Sequence, residues 1–449
     1  MFAAAALGQG LPPDVEAALA RAKLPRESVA IYVAAADGVT PPRIAHRLDT
    51  PMNPASVAKL VTTYAGLELL GPTFAWGTPV YFGGTVTDGT LAGPLYIRGQ
   101  GDPKLVLERL WLLLRRVQAL GVRRIAGDIV LDRSAFEVAP GDPAAFDGEP
   151  YRPYNAAPDA LLLNFKSVLL TFSPEANRAR VAADLPLAGV QWPAGVPLAT
   201  GACGDWRGGL KPDFSDPLRP RFAGSYPAAC GEREWPLAFA DPASFAARAV
   251  AGLWAQAGGE LTGQVRDGRV PAELAPAFTF TSPPLAELIR DINKYSNNVM
   301  AQQLFLTLGL RGKGSGTRAA AQEALRGWWQ QRFGGEPPAL ESGSGLSRND
   351  RATARQLAQL LHAAWASPLM PDLASSLPTL GIDGTLRNAR RNVGLAHLKT
   401  GSLRDVAAVA GYVHAAQGRR YVLVAIANHP NASAARPVFE ALVEWTARE

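Results

Sequence analysis

Lysine is scarce in this chain. Of 45 basic residues among 449, eight are lysine and 37 are arginine. A surface furnished with arginine leaves lysine for places where arginine cannot serve. Arginine stays protonated in proteins, whereas a buried lysine can give up its proton and act as a base. Histidine is scarcer still, with five residues (His46, His362, His397, His414, His429). Their spacing is not that of metal ligands, which sets metal-assisted hydrolysis aside. The two cysteines, Cys203 and Cys230, stand 27 positions apart in a Gly/Pro-rich stretch. No histidine motif accompanies them, so neither reads as a nucleophile. They either close a loop as a disulfide, which suits an oxidising compartment, or remain two free thiols.

Long apolar runs are missing as well. No stretch approaches the roughly 20 apolar residues of a spanning helix, so the protein is expected to be soluble or at most peripherally attached to a membrane. The N-terminus, Met-Phe-Ala-Ala-Ala-Ala-Leu-Gly-Gln, has no basic region and too short an apolar run for a complete signal peptide, and reads as the remnant of one. No Lys/Arg run alternates with aromatics as a nucleic-acid groove requires. No Gly-rich phosphate loop precedes a helix carrying Lys-Ser/Thr. Nucleic acid and nucleotides are therefore not expected partners, and no cofactor is implied. With 47% hydrophobic and 19% charged residues and a net charge of +6, this is a globular basic chain. The plainer reading of that charge is an ordinary basic soluble protein; the functional one is attraction to an anionic surface, such as a bacterial wall or a membrane face.

Three short motifs carry chemistry. The chain's one Ser-x-x-Lys is Ser56-Val-Ala-Lys59. Three apart on a helix, the two side chains share a face, with the amine beside the hydroxyl. A serine hydroxyl needs a base, and Lys59 serves as one if burial or a second cation lowers its pKa. Asn53-Pro54 is the expected start of that helix, with Asn53 as its cap, which puts Ser56 in the first turn, where the dipole favours negative charge. Ser296-Asn297-Asn298 falls at a break between two helical stretches. There Ser296 can relay a proton from a leaving amine toward Lys59 or Lys399, and the Asn298 amide can bond a substrate backbone. Lys399-Thr400-Gly401-Ser402 lies on an expected strand. Lys399 supplies the second cation, and Gly401 clears the strand edge for substrate. The N–H groups of Ser56 and Ser402 are the expected oxyanion hole, with Lys399, Thr400 and Ser402 placed to receive a carboxylate. Alone each motif reads as a helix face, a turn or a strand end. In this order and on these elements they describe a serine nucleophile activated by lysine.

The texture of the chain divides it in three. Residues 1–75 hold a short amphipathic helix (13–23), a strand (28–35), a pairing segment (43–47) and the helix running to Leu70. Residues 76–277 are short strands with Gly/Pro-rich turns and some helix, read as an insertion of one or two small β-rich modules. Residues 278–449 return to helices (285–310 with its break, 317–332, 352–365), then strands (394–400, 404–414, 420–428) and a last helix (433–447). The simplest architecture is one catalytic domain split by an insertion.

The ordered motifs resemble the penicillin-recognising serine acyl enzymes. The 240 positions from Ser56 to Ser296 exceed the gap in soluble β-lactamases of that superfamily. They are similar to the class C low-molecular-mass penicillin-binding proteins, the D-alanyl-D-alanine carboxypeptidase/endopeptidase family. Matching segments are Pro54–Lys59, Gly99–Pro103, Gly127–Asp132, Ile292–Asn298, Gly343–Arg348, Asp383–Leu386 and His397–Ser402. One departure is Ser342, where some members carry an acid directly before Gly-Ser-Gly; here Glu341 lies one position earlier. The resemblance implies an α/β (α+β) domain, helices around an antiparallel sheet, interrupted by inserted modules. It implies a periplasmic or wall-associated enzyme acting on peptidoglycan peptides, acylated by β-lactam antibiotics, with a homodimer compatible. It also suggests Arg348 near the substrate side chain, a loop-bracing ion pair being the plainer reading. Asp132 and Phe136 read as strand-end structural residues rather than cleft residues. The alternatives that remain are a β-lactamase-like or D-amino-acid esterase/amidase hydrolase using the same site, and a non-catalytic wall-binding scaffold.

Overall fold

The computed structural model describes residues 10–139 and 141–448. The reading of the first residues as a leader remnant lies outside them. The chain forms two compact units, one from the segments up to Ala75 and from Pro283 onward, the other from Trp76–Ser282. The second boundary lies a few residues beyond the expected 278. Phe278–Thr281 is a strand that pairs antiparallel with Gly77–Phe82, so it closes the inserted unit.

The first unit is built on a five-stranded antiparallel sheet. Its strands are β1 (Val29–Ala35), β2 (Ile44–His46), β3 (Ala396–Leu403), β4 (Val406–His414) and β5 (Arg420–Asn428), in the order β3-β4-β5-β1-β2. β4 and β5 are buried on both faces along nearly their whole length. That is why they read as continuous apolar runs rather than alternating ones. Helices cover both faces. α1 (Pro13–Ala22) shares a core with one face of the sheet. α2 (Lys59–Leu70) is buried from Lys59 to Leu67 and ends at Gly71-Pro72, where proline cannot continue the helix. α3 (Leu285–Lys294) and α4 (Asn298–Lys313) flank the break at Ser296. α5 (Arg318–Phe333) packs on α4. α6 (Ala354–Trp365), started by a Thr353/Gln356 capping box, lies on the sheet, where Tyr412 donates to the Leu361 carbonyl at 2.8 Å. α7 (Arg436–Ala447) joins α1 on the opposite face. On its outer edge β3 is bonded by backbone of the 378–380 segment along Ala396–Leu398. The site forms beyond that pairing, at Lys399–Ser402.

The inserted unit contains two five-stranded sheets, a smaller four-stranded one and the helices 107–119 and 245–256. One contiguous apolar cluster runs from Val80 to Phe278 through both larger sheets. Asp132 is buried at a strand end, where it accepts from Ser134 Oγ (2.6 Å) and from the N–H of Val270 (3.1 Å), a structural role. Cys203 and Cys230 are bonded, with Cα atoms 4.7 Å apart. Closing a loop across 27 positions removes chain entropy worth roughly 3.5 kcal/mol. The Cys203→Ser/Cys230→Ser variant is expected to lose about that much from the unfolding of this unit. A denaturation curve superimposable on wild type would contradict it.

Candidate active site

The turn before α2 departs from the expected cap. Asn53 does not cap a helix that starts at Pro54; its Oδ1 accepts the N–H of Ala55 at 2.8 Å. Ala55 sits in the left-handed region at φ 45°, and residues Ala55–Ala58 form a 3₁₀ turn before the α-helix begins at Lys59. In a 3₁₀ turn residues three apart eclipse each other, so Ser56 and Lys59 stand closer in line than an α-helix would place them. Lys59 Nζ donates to Ser56 Oγ at 2.9 Å. It also donates to Asn298 Oδ1 at 2.7 Å and to the carbonyl of Ser344. The amine is fully buried. Burial, joined by the charge of Lys399, holds its pKa well below the ordinary lysine value, with Asp350 opposing.

A second serine–lysine pair faces the first. Ser296 occupies the break between α3 and α4 at φ 57°, in the left-handed region, while Asn297 caps α4 by accepting from Met300 N (3.0 Å). Lys399, also fully buried, projects from β3 and donates to Ser296 Oγ at 2.9 Å and to the Thr400 carbonyl at 2.8 Å. Burial brings its pKa down to about 7. The geometry thus gives Ser296 to Lys399 and Asn298 to Lys59. Asn298 orients the Lys59 amine through Oδ1, so any donation to a substrate backbone falls to its amide nitrogen.

Two glycines hold the Ser56 turn. Gly345 has φ +78°, and a Cβ there would fall on the Ala55 carbonyl and 2.8 Å from Ser56 N. On the other side, a Cβ on Gly401 would lie 2.6 Å from the Pro54 carbonyl and 3.0 Å from Ser56 N. The position a Cβ would take at Gly401 is thus occupied by the chain's own Pro54–Ser56 backbone, while Gly401 itself lines the cavity beside Ser56. The same contact brings β3 beside the Ser56 N–H.

A cavity of about 590 Å³ opens at this junction. Ser56, Ser296, Thr400, Gly401 and Ser402 line it, together with Thr385 and residues of β3, β4 and α7. Arg348 is exposed three positions after Gly345, outside the cavity lining. Motif reasoning missed the Ser344 carbonyl, Gly345 and Asp350. Asp350 is fully buried with one carboxylate oxygen unpartnered, and burial raises its pKa to about 6. The available signal is the matching segment Gly343–Arg348, which contains Ser344 and Gly345; Asp350 lies two positions beyond it.

The chain resembles known proteins over most of its length. The family model described as the D-Ala-D-Ala carboxypeptidase 3 (S13) family matches residues 11–449. The D-alanyl-D-alanine carboxypeptidase of Actinomadura sp. (strain R39) is 31% identical over 389 residues, 81% of this chain and 71% of the relative. The D-alanyl-D-alanine carboxypeptidase DacB of Haemophilus influenzae is 25% identical over 398 residues, 84% of this chain and 81% of the relative. The crystal structure of penicillin binding protein 4 from Haemophilus influenzae superimposes with a TM-score of 0.75 at 22% identity, covering 96% of this chain and 99% of that one. At that identity the likeness is one of fold, and it gives the split catalytic domain its class. A match that starts at Leu11 and runs to the last residue takes in both segments of that domain and the insertion between them, so the chain belongs to the D-Ala-D-Ala carboxypeptidase 3 (S13) family.

Proposed function

We propose that the protein is a serine DD-peptidase that cleaves D-alanyl-D-alanine ends and peptide cross-links of peptidoglycan, in the periplasm or at the cell wall, and that β-lactams acylate it. The observation that carries this reading is the facing pair of buried lysines, each 2.9 Å from the hydroxyl of a serine that lines one cavity. Ser56 Oγ attacks the carbonyl of the penultimate D-alanine while Lys59 takes its proton. The oxyanion draws on the N–H groups of Ser56 and Ser402. As the C–N bond breaks the leaving amine must gain a proton, so Ser296, backed by Lys399, delivers one to it, the reverse of the direction expected from the sequence. Thr400, Ser402 and the Lys399 charge receive the leaving group's carboxylate. Water then attacks the acyl-enzyme and restores Ser56.

The test is intact mass after brief exposure to benzylpenicillin, on wild type and Ser56→Ala. The expected result is one persistent penicillin adduct on wild type and none on the variant. Consumption of the drug without an adduct would favour a β-lactamase-like hydrolase. Neither adduct nor consumption would return the scaffold reading.

A further inference from the structure

The turn that carries Ser296 is anchored by groups that the chemistry above does not use. Lys294 ends α3 two residues earlier. Its amine is buried, donates to the Leu377 carbonyl at 2.9 Å and pairs with the Asp383 carboxylate at 2.5 Å. The other oxygen of that carboxylate accepts the N–H of Thr379 at 2.8 Å. Asn293, the preceding residue, donates to Ser376 Oγ at 2.9 Å. Side chains on two successive positions therefore tie the end of α3 to the segment 376–383. Gly384 then passes flat against the carbonyl of Lys294, with no room for a Cβ. The next residue, Thr385, is exposed on the cavity wall with its hydroxyl oxygen 2.7 Å from that of Thr400.

A threonine hydroxyl has one proton to give and lone pairs to accept with. When Thr400 gives its proton to a carboxylate, its oxygen is left to accept from Thr385. The pair then has a fixed direction, and the Thr400 proton points away from Thr385 into the cavity. We propose that Thr385 is a specificity-determining positioning residue that orients the Thr400 hydroxyl toward the carboxylate end of the substrate, and that the Lys294–Asp383 ion pair holds Thr385 in register with Ser296. The proposal rests on the reading that Thr400 receives a carboxylate. It links the group that recognises the leaving end to the group that protonates it, through one short segment.

The experiment compares wild type, Thr385→Val, Thr385→Ser and Asp383→Asn on a peptide ending in D-alanyl-D-alanine, with kcat referred to sites titrated by benzylpenicillin. Thr385→Val should raise KM about tenfold, the loss of one hydrogen bond, with kcat and the thermal midpoint unchanged. Thr385→Ser, which keeps the hydroxyl, should behave as wild type. Asp383→Asn keeps an acceptor for Thr379 and drops the charge facing Lys294; it should raise KM and lower kcat together, because Thr385 and Ser296 lose their shared anchor. Wild-type KM in Thr385→Val, or a loss confined to kcat, overturns the role of Thr385. Wild-type kinetics in Asp383→Asn overturn the role of the ion pair. A wild type that neither turns over the peptide nor reacts with benzylpenicillin overturns the reading of the whole site, and is thereby distinct from failure of this inference alone.

Discussion

Replacing Lys59 by methionine is expected to slow acylation of Ser56 by about 10²–10⁴-fold, the range over which a positioned base accelerates proton transfer. Methionine keeps much of the apolar stem and removes the amine that donates to Ser56 Oγ at 2.9 Å. The rate is read as loss of titratable sites with benzylpenicillin at several concentrations; acylation within tenfold of wild type would remove Lys59 from the role of base. The variant carries a second signature. Both lysines are buried with pKa values lowered, Lys399 to about 7, against about 10.4 in an unfolded chain. Between the folded and unfolded values the unfolded chain binds the proton that the native state has released. Stability therefore rises with pH across that window, by up to about 1.4 kcal/mol per pH unit for each lysine. Lys59→Met removes one of the two contributions, so its denaturation midpoint should climb less steeply than wild type between pH 7 and 10. Equal slopes would mean that Lys59 keeps its proton in the native state throughout that window.

Much of this site was legible in the sequence because its chemistry is local. Ser56 and Lys59 are three positions apart, and the break at Ser296 interrupts a long apolar helical pattern. The apolar runs at Val406–Val413 and Tyr421–Ala427 mark strands buried on both faces. The scarcity of lysine also had meaning, since Lys59, Lys294 and Lys399 are all buried. The inference was incomplete: Lys166 is buried as well, in the inserted unit, where its amine pairs with Asp159 at 2.9 Å. What the sequence did not yield is contact between distant backbones. Nothing near Gly401 indicates that Pro54–Ser56 will fill its missing side chain, and nothing near Ser344 marks its carbonyl as an acceptor for Lys59. The 3₁₀ start of α2 was hidden for the same reason. Asn53 looks like a cap locally, but the turn is shaped by Ser347, whose carbonyl takes the Asn53 amide at 2.8 Å, and by Asn428, whose Oδ1 accepts the Asn53 N–H at 2.8 Å.

Gly345→Ala should show how far the site depends on that distant contact. At φ +78° an alanine carries the left-handed cost of about 1–2 kcal/mol, and its Cβ would also fall on the Ala55 carbonyl. Overpacking of this kind adds about 1–3 kcal/mol, for a combined loss of about 2–5 kcal/mol of stability. The backbone that must give way carries Ser56 on one side. On the other it carries Ser344, whose carbonyl holds the Lys59 amine. Relief of the clash therefore separates nucleophile from base, and a displacement near 1 Å is enough to cost about 10²-fold in rate. Gly327→Ala supplies the control. Gly327 lies on the exposed face of α5 with open space where a Cβ would go, so alanine there should leave acylation unchanged and add about 0.5–1 kcal/mol of stability. The two variants are compared by urea midpoint and by the second-order rate of benzylpenicillin acylation. Gly345→Ala acylating at the wild-type rate would mean that the Ser56 turn keeps its shape without the Gly343–Gly345 loop, and that Asn53 and the Gly401 edge of β3 suffice to aim the nucleophile.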